Sequence, residues 1–326
     1  MNLPIKLYSS SDHYRASEIG IGESDETTFS NFFKNKPGKP NIGFTSEKSF
    51  GETVAEQFIE RGILKGGMTL LEVGGGDGDF ANDFLGYAIS NGIKCKYSML
   101  DLNPGLLAKQ KEKTGRHSSF TDLEFILADA SIGLPPIPEG IDLAMSIEMI
   151  ADLPVIKNLP SYAVRNYPNL GTHEFNEDEI RLLETAVNLI RNYDLSIPED
   201  DVFHLNYGAI QSIFGLYKLL KPGGSAFITE YSSEVERTPY WEDVPFLSLP
   251  VARMRFPEEA RFDGHSEFSV KFSHLEAVAR KLGFKVKNGP LHEFVGLRPY
   301  EFLEAKGIMF EPGLLGFRYL LLTKSR

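Results

Sequence analysis

The chain has 326 residues, of which 42% are hydrophobic and 24% charged, with a formal net charge of −11. That length and composition suit one large α/β domain with an elaboration, or two small domains, and the single cysteine, Cys95, excludes an internal disulfide and a Cys-rich zinc site. The acidic balance argues against general nucleic-acid binding, which needs basic groups for phosphates.

Residues 1–50 read as a loop-rich arm containing the breaker run Lys36-Pro37-Gly38-Lys39-Pro40. Met1 to Lys6 lack the apolar core of a secretory signal and the Arg-rich character of a transit peptide, and no stretch of the chain is apolar for long enough to cross a bilayer. A cytoplasmic location is therefore expected. Gly51 to Ile63 reads as a helix with Val54, Phe58 and Ile59 on one face, ended by Lys65-Gly66-Gly67. Next come a strand over Met68–Val73, a helix over Asp79–Ser90, a strand over Lys96–Leu100 and a helix over Gly105–Lys113. Strands over Leu123–Ala128 and Ile141–Ile147 follow. This alternation predicts a parallel sheet with helices on both faces. Residues 151–201 break the rhythm with Pro-rich and polar loop, plus a helix over Glu177–Asn192 whose Ile180, Leu183, Val187 and Ile190 share a face. A helix over Tyr207–Leu220 resumes the core and stops at Lys221-Pro222-Gly223-Gly224, ahead of a strand over Ser225–Thr229. A helix over Leu275–Leu282 and an antiparallel pair, Phe284–Val286 with Phe317–Leu322, complete the expected core of residues 51–150 and 202–326.

The strand ending at Glu72-Val73 runs into Gly74-Gly75-Gly76-Asp77-Gly78. A glycine-rich strand-to-helix turn lets the backbone approach a ligand without side-chain collision. Dinucleotides and S-adenosylmethionine both use such a turn. The dinucleotide pattern G-x-G-x-x-G requires a third glycine where Asp79 stands. Asp77 and Asp79 also put negative charge where a pyrophosphate would lie, whereas a sulfonium and an ammonium meet no repulsion. The acidic loop thus favours S-adenosylmethionine. Asp101, next to Leu102 at the end of the second strand, is expected to accept hydrogen bonds from ribose hydroxyls, worth about 1.5–3 kcal/mol each. Asp129, next to Ala130 after the third strand, can accept from the adenine amino group or serve as a helix N-cap. Ligands bind along this carboxyl edge of a parallel sheet, which ties the three features together.

These residues resemble the MidA-type methyltransferase family, in Leu71 to Gly78 and in Leu100-Asp101-Leu102-Asn103-Pro104 with Leu106, Leu107 and Gln110. Leu7-Tyr8 to Tyr14 and Phe44-Thr45-Ser46 to Phe50-Gly51 look like that family's amino-terminal lid, and Thr229-Glu230-Tyr231 resembles its fifth-strand Asp-Tyr. Phe268 to Leu282 and Glu301 to Ile308 resemble its tail. The resemblance implies a Rossmann-like class I fold, with a seven-stranded, mostly parallel sheet and a lid that closes over S-adenosylmethionine and includes Thr45. It also implies a protein arginine as methyl acceptor. The family's fourth-strand Asn-Glu-x-x-Asp-Ala-x-Pro departs here to Ile147-Glu148-Met149-Ile150-Ala151-Asp152-Leu153-Pro154, a change on the substrate side.

Methyl transfer from a sulfonium is an in-line displacement, so orientation of the acceptor dominates and a nearby carboxylate can hold it or remove a proton. Glu148 is the leading candidate, since the fourth strand's carboxyl end faces the methyl group in this fold; its alternative is a solvated loop acid. Asp152 is a second acid or a turn cap, and Glu230 and Tyr231 can line the acceptor pocket, Tyr231 otherwise being a rim aromatic. His204, close to the start of the helix leading into the fifth strand, is a general base or a helix-terminus or partly buried histidine; His265 and His274 carry less weight. No metal site is expected, since Cys and His are not clustered at ligand spacing. Residues 151–201 are expected to form a helical cap over the substrate, with Tyr162, Arg165, Tyr167 and His173 within reach, or else a packing helix with loops. Three functions stay open: methylation of a protein side chain, methylation of a small molecule at O, N or C, and a catalytically silent cofactor-binding subunit. The oligomeric state is not legible.

Overall fold

The computed structural model describes residues 3–16, 29, 33, 48–169, 174–199, 201–234, 256–262, 264–296 and 316–326. The chain opens with β1 (Lys6–Tyr8) and α1 (Ser11–Ala16), where a loop was expected. The helix α2 (Phe50–Glu60) starts at a capping box in which Ser49 and Glu52 each bond the other's backbone N–H, and buries Val54, Ala55 and Phe58. Then β2 (Thr69–Val73), α3 (Asp79–Ser90), β3 (Lys96–Asp101), α4 (Pro104–Thr114), β4 (Asp122–Leu127) and β5 (Ile141–Ile147) build the first half of a sheet. Asn103 caps α4 through Gly105 and Leu106, with Pro104 preset for the first turn. All of β2 is buried, as an inner strand covered on both faces must be.

Beyond β5 the chain forms β6 (Val155–Pro160), α5 (Ser161–Asn166), α6 (Glu177–Tyr193), β7 (Val202–Leu205), α7 (Tyr207–Leu219) and β8 (Leu220–Tyr231). The run Lys221 to Gly224 lies within β8, where the ladder to β5 shifts register between Ile141 and Leu143, so it makes an irregularity in the strand and not the expected stop. The described remainder comprises β9 (Glu259–Arg261), β10 (Ser266–Phe268), α8 (Phe272–Lys281), β11 (Phe284–Pro290), α9 (Leu291–Phe294) and β12 (Phe317–Lys324).

Seven strands pair in the order β11-β12-β8-β5-β2-β3-β4. The pairings from β8 through β4 are parallel, whereas β12 runs antiparallel to both β8 and β11. This is the expected class I methyltransferase sheet. The chain travels from β2 outward to β4, then returns to β5 on the other side of β2. That reversal opens a crevice at the carboxyl ends of β2 and β5, where an open α/β sheet receives its ligand.

Two apolar cores cover the two faces. One gathers Leu71, Ala144 and Ile228 with α6, α7 and α8; the other gathers Leu70, Met99 and Phe227 with α2, α3 and the arm residues Phe29 and Phe33. Residues 151–201 are more than the expected loop and helix. Strand β6 lies between β1 and β7 in a separate antiparallel sheet, and Leu159, Ala163, Leu183 and Phe203 join the first core. Among the described residues, no helix is long and apolar enough to cross a membrane.

Candidate active site

The peptide N–H of Gly74 donates to Leu100 O (2.8 Å), tying the start of the glycine turn to the end of β3. Gly74 and Gly76 both have left-handed backbones, at φ 72° and 54°. A Cβ on Gly74 would lie 2.3 Å from Met149 Cγ, so Met149, just after β5, packs directly on the turn. A Cβ on Gly76 would meet nothing within 4 Å, so this position borders open space. Gly75 lies over the Glu72 carboxylate and Gly78 over Gln110. Glu72 is buried, and its Oε2 accepts from the Tyr97 hydroxyl at 3.1 Å. Burial pushes its carboxyl up to about 7, the neighbouring Asp101 adding to the rise.

Asp101 is also buried, which raises its pKa. Its Oδ1 accepts from Asn103 N and its Oδ2 from Gln110 Nε2, both at 3.0 Å, and the Leu102 peptide also donates to it. Gln110 Nε2 further donates to Gly76 O (2.8 Å), which bridges the turn to Asp101. Gln110 Oε1 is buried and has no hydrogen-bond partner among the described residues. Asp77 and Asp79 do not confront the site as bare charges: Lys113 Nζ lies 2.7 Å from a carboxylate oxygen of each. One ammonium thus offsets much of their field, which corrects the expectation that these two acids set the charge of the loop.

Helix α1 spans the same edge. Its Tyr14 carbonyl accepts from Asn103 Nδ2 (2.7 Å), Arg15 pairs with Asp129, and Ser11 Oγ bonds Ser131 Oγ (3.1 Å). Asp129 Oδ1 also accepts from Ser131 N (2.8 Å), so this carboxylate is shared between the arm and its own turn. Ala130 packs partly buried against the first core. Thr45 lies outside the described residues.

On the β5–β8 side, Glu148 follows β5 at φ 51°, a strained setting for a residue with a side chain. Its Oε2 accepts from Phe29 N (2.9 Å), and Phe29 is fully buried in the second core. Glu230 is buried and accepts from Ala151 N (3.1 Å) and Tyr231 N (2.8 Å). Burial holds its pKa well above the ordinary carboxylate range, and the charges of Glu148 and Glu267 raise it further. Tyr231 sits on the opposite face of β8, with its ring edge-on to Phe317 in the second core, because neighbouring strand residues alternate. Asp152 Oδ1 accepts from the Tyr14 hydroxyl (2.8 Å), which is also 3.2 Å from His265 Nε2. Thus the described site includes Met149, Tyr14 and Gln110, none of them expected as site residues although the last two belong to the resembling segments, and His265, which carries little weight in the sequence.

His204 is on β7, just ahead of α7, and is the partly buried histidine of the expected alternatives. Its Nδ1 accepts from Asn158 N (3.2 Å), its ring meets Phe268 edge-on, and burial lowers its pKa. His274 is a buried core histidine that bonds Ser196, with its pKa pushed down to about 3 by burial. In the insertion, Tyr162 donates to Glu174, Arg165 to the carbonyls of Pro198 and Glu199, and Tyr167 packs on the first core, while His173 is not among the described residues.

Residues 50–239 match the family model described as "Putative S-adenosyl-L-methionine-dependent methyltransferase", which spans more than half of the chain. The chain belongs to this methyltransferase family. No curated protein matches it. Among solved structures, an uncharacterized protein from Burkholderia thailandensis is similar over 84% of this chain and 79% of its own, at 16% identity and a TM-score of 0.52. A superfamily member from the same bacterium, bound to S-adenosyl-homocysteine, is similar over 84% and 76%, at 15% identity and a TM-score of 0.50. At these identities the likeness concerns the fold, which agrees with the strand order above. The methyltransferase's own edge fits its cofactor. An open floor at Gly76 lies beside a buried acidic group, Asp101, with acceptor capacity left over and beside the unpartnered Gln110 Oε1.

Proposed function

We propose that this methyltransferase is a MidA-type enzyme that transfers its methyl group to a nitrogen of a cationic acceptor, a protein arginine side chain. When bound, S-adenosylmethionine supplies an electrophilic methyl group on a sulfonium. Gly74, Gly75, Gly76 and Gly78 would form the bed for its methionine part, with Glu72 beneath and Asp77 held out of the way by Lys113. Asp101 would accept from the ribose hydroxyls, flanked by Leu102, and Asp129 with Ala130 would border the adenine. Residues 1–50, through α1 and Phe29, would act as the lid, with 51–150 and 202–326 as the core and 151–201 as the substrate-side wall.

The acceptor reading is carried by one observation. Glu148 N donates to Thr229 O (2.9 Å), so Glu148 and the buried Glu230 stand on neighbouring strand ends, and the charges of Glu148 and Glu267 both raise the Glu230 pKa. A guanidinium entering there would gain charge-assisted hydrogen bonds and relieve the repulsion among the acids. Orientation of that group against the methyl carbon can supply up to about 7–11 kcal/mol of the barrier reduction. Glu148 would hold it, and Asp152 would position the Tyr14 hydroxyl on the same edge.

A second reading has its own support. Asp152 and His265 meet at the Tyr14 hydroxyl, an acid and an imidazole that could together take the proton of a small-molecule hydroxyl acceptor. Incubation of the enzyme with labelled S-adenosylmethionine and cell extract, followed by separation of protein from metabolites, tests the choice. Label on protein arginine is expected; label confined to small molecules would overturn the first reading.

A further inference from the structure

Tyr14, Asp152, His265 and Glu267 come from three separate parts of the chain: α1, the turn after β5, and the β9–β10 hairpin. One ligand atom from each of Asp152, His265 and Glu267 can be chosen so that all lie within 4.8 Å of one another. The Tyr14 hydroxyl sits among them, 2.8 Å from Asp152 Oδ1, 3.2 Å from His265 Nε2 and 3.4 Å from Glu267 Oε1. His265 Nε2 and Glu267 Oε1 are themselves 3.4 Å apart. A tetrahedron of N and O ligands at about 2.0–2.1 Å from a metal ion has edges of about 3.3–3.4 Å. The two 3.4 Å spacings match such edges, the 3.2 Å spacing is close to one, and Tyr14–Asp152 is shorter.

The histidine is set for this task. Its side chain is 4% exposed, and its ring stacks on His13 (centroids 4.3 Å apart, 15° between planes) and on Phe262 (5.3 Å, 22°). Two stacked rings hold the imidazole in one plane, which fixes Nε2 toward the acids. One imidazole and two carboxylates form a donor set suited to a borderline divalent ion such as zinc or manganese, rather than to the all-oxygen cages preferred by magnesium and calcium.

We propose that Asp152, His265 and Glu267 bind a single zinc-class divalent cation, with the Tyr14 hydroxyl in the fourth position. The ion fastens α1 to the turn after β5 and to the β9–β10 hairpin. Because α1 also holds Asn103 and Asp129, the metal clamps the arm across the carboxyl edge of the sheet. Binding of the ion does not depend on which acceptor is methylated; it takes Asp152 and Glu267 as ligands and leaves Glu148 and Glu230 for the acceptor.

The test uses the full chain, stripped with a chelator, and zinc titrated against a chromophoric competitor, with magnesium as control. One equivalent of zinc should bind with micromolar or tighter affinity, raise Tm, and slow hydrogen exchange over residues 11–16. Magnesium at the same concentration should do none of these. Glu267→Gln and His265→Ala should each weaken zinc binding at least tenfold. If the His265→Ala chain does not fold, the near-isosteric Glu267→Gln carries the comparison. No zinc bound by the wild-type chain, or equal binding by wild type and Glu267→Gln, overturns the site. Both outcomes are read without cofactor or acceptor.

Discussion

The buried carboxyl of Glu72 offers a direct test of how the glycine turn is built. Its pKa is pushed up from 4.5 to about 7, with burial as the main cause. Between those values the unfolded chain has released its proton while the folded chain still holds it. Stability contributed by this group is therefore full below pH 4.5, falls as pH rises, and is lost above pH 7. The difference corresponds to about 3 kcal/mol. Glu72→Gln cannot ionise, so its stability relative to wild type should rise by about that amount from pH 4.5 to pH 8, whatever constant offset the buried amide adds. With an unfolding entropy of about 2.1 cal/mol/K per residue, this is a change of about 4 °C in the Tm difference. Thermal melts of both proteins at pH 4.5, 6, 7 and 8, without cofactor, supply the measurement. Parallel pH profiles for the two chains would refute the buried-acid account of the turn.

The same edge carries three further predictions. Asp101→Ala should weaken S-adenosylmethionine binding at least tenfold by calorimetry, a loss of about 1.4 kcal/mol or more; unchanged affinity removes Asp101 from the site. Gly76→Ala and Gly74→Ala both place a side chain on a left-handed backbone, at about 1–2 kcal/mol each. Only Gly74→Ala also drives a Cβ into Met149, so it should lower Tm further, while Gly76→Ala should keep most stability and lose cofactor affinity. Equal Tm losses would contradict the geometry. Glu148→Gly relieves a backbone at φ 51° and should melt within about 1 kcal/mol of wild type, yet turn over at least tenfold more slowly. Full activity in that variant would move catalysis away from Glu148.

The alternating half of the molecule is the part that sequence patterns describe best. Asp79–Ser90 and Ile141–Ile147 have the expected bounds, because their apolar residues repeat with one clear period and end at glycines or acids. The sheet of β1, β6 and β7 is less legible for a physical reason. Strand β6 is buried along its whole length and so shows no alternation, it ends in Pro160, and its partner Lys6–Tyr8 lies near the other end of the sequence. The β9–β10 hairpin has only three residues per strand. The same division runs through the site. Asp101 is visible because it ends a strand next to a glycine turn. Tyr14 belongs to the lid-like segment and His265 is a minor candidate, but neither they nor Glu267 carry a local signal of their meeting, which depends on how α1 and a hairpin fold back over the sheet.

In the proposed cofactor site, Lys113 would relocate the source of selectivity. With its ammonium between Asp77 and Asp79, the loop acids supply much less repulsion toward a pyrophosphate than their number suggests. The uncompensated acidity lies deeper, in Glu72 and Asp101, whose pKa values are raised by burial and, for Glu72, by the other's charge. A phosphate brought over this pair would raise both further and force protons onto them. A ligand with a sulfonium and an ammonium does the reverse, since it favours the charged form of each acid and recovers part of the desolvation cost of burying them. In the proposed site the turn would therefore discriminate through Glu72 and Asp101, two buried carboxyls with no cationic partner among the described residues, while Asp77 and Asp79 tie α4 to the start of α3 through Lys113.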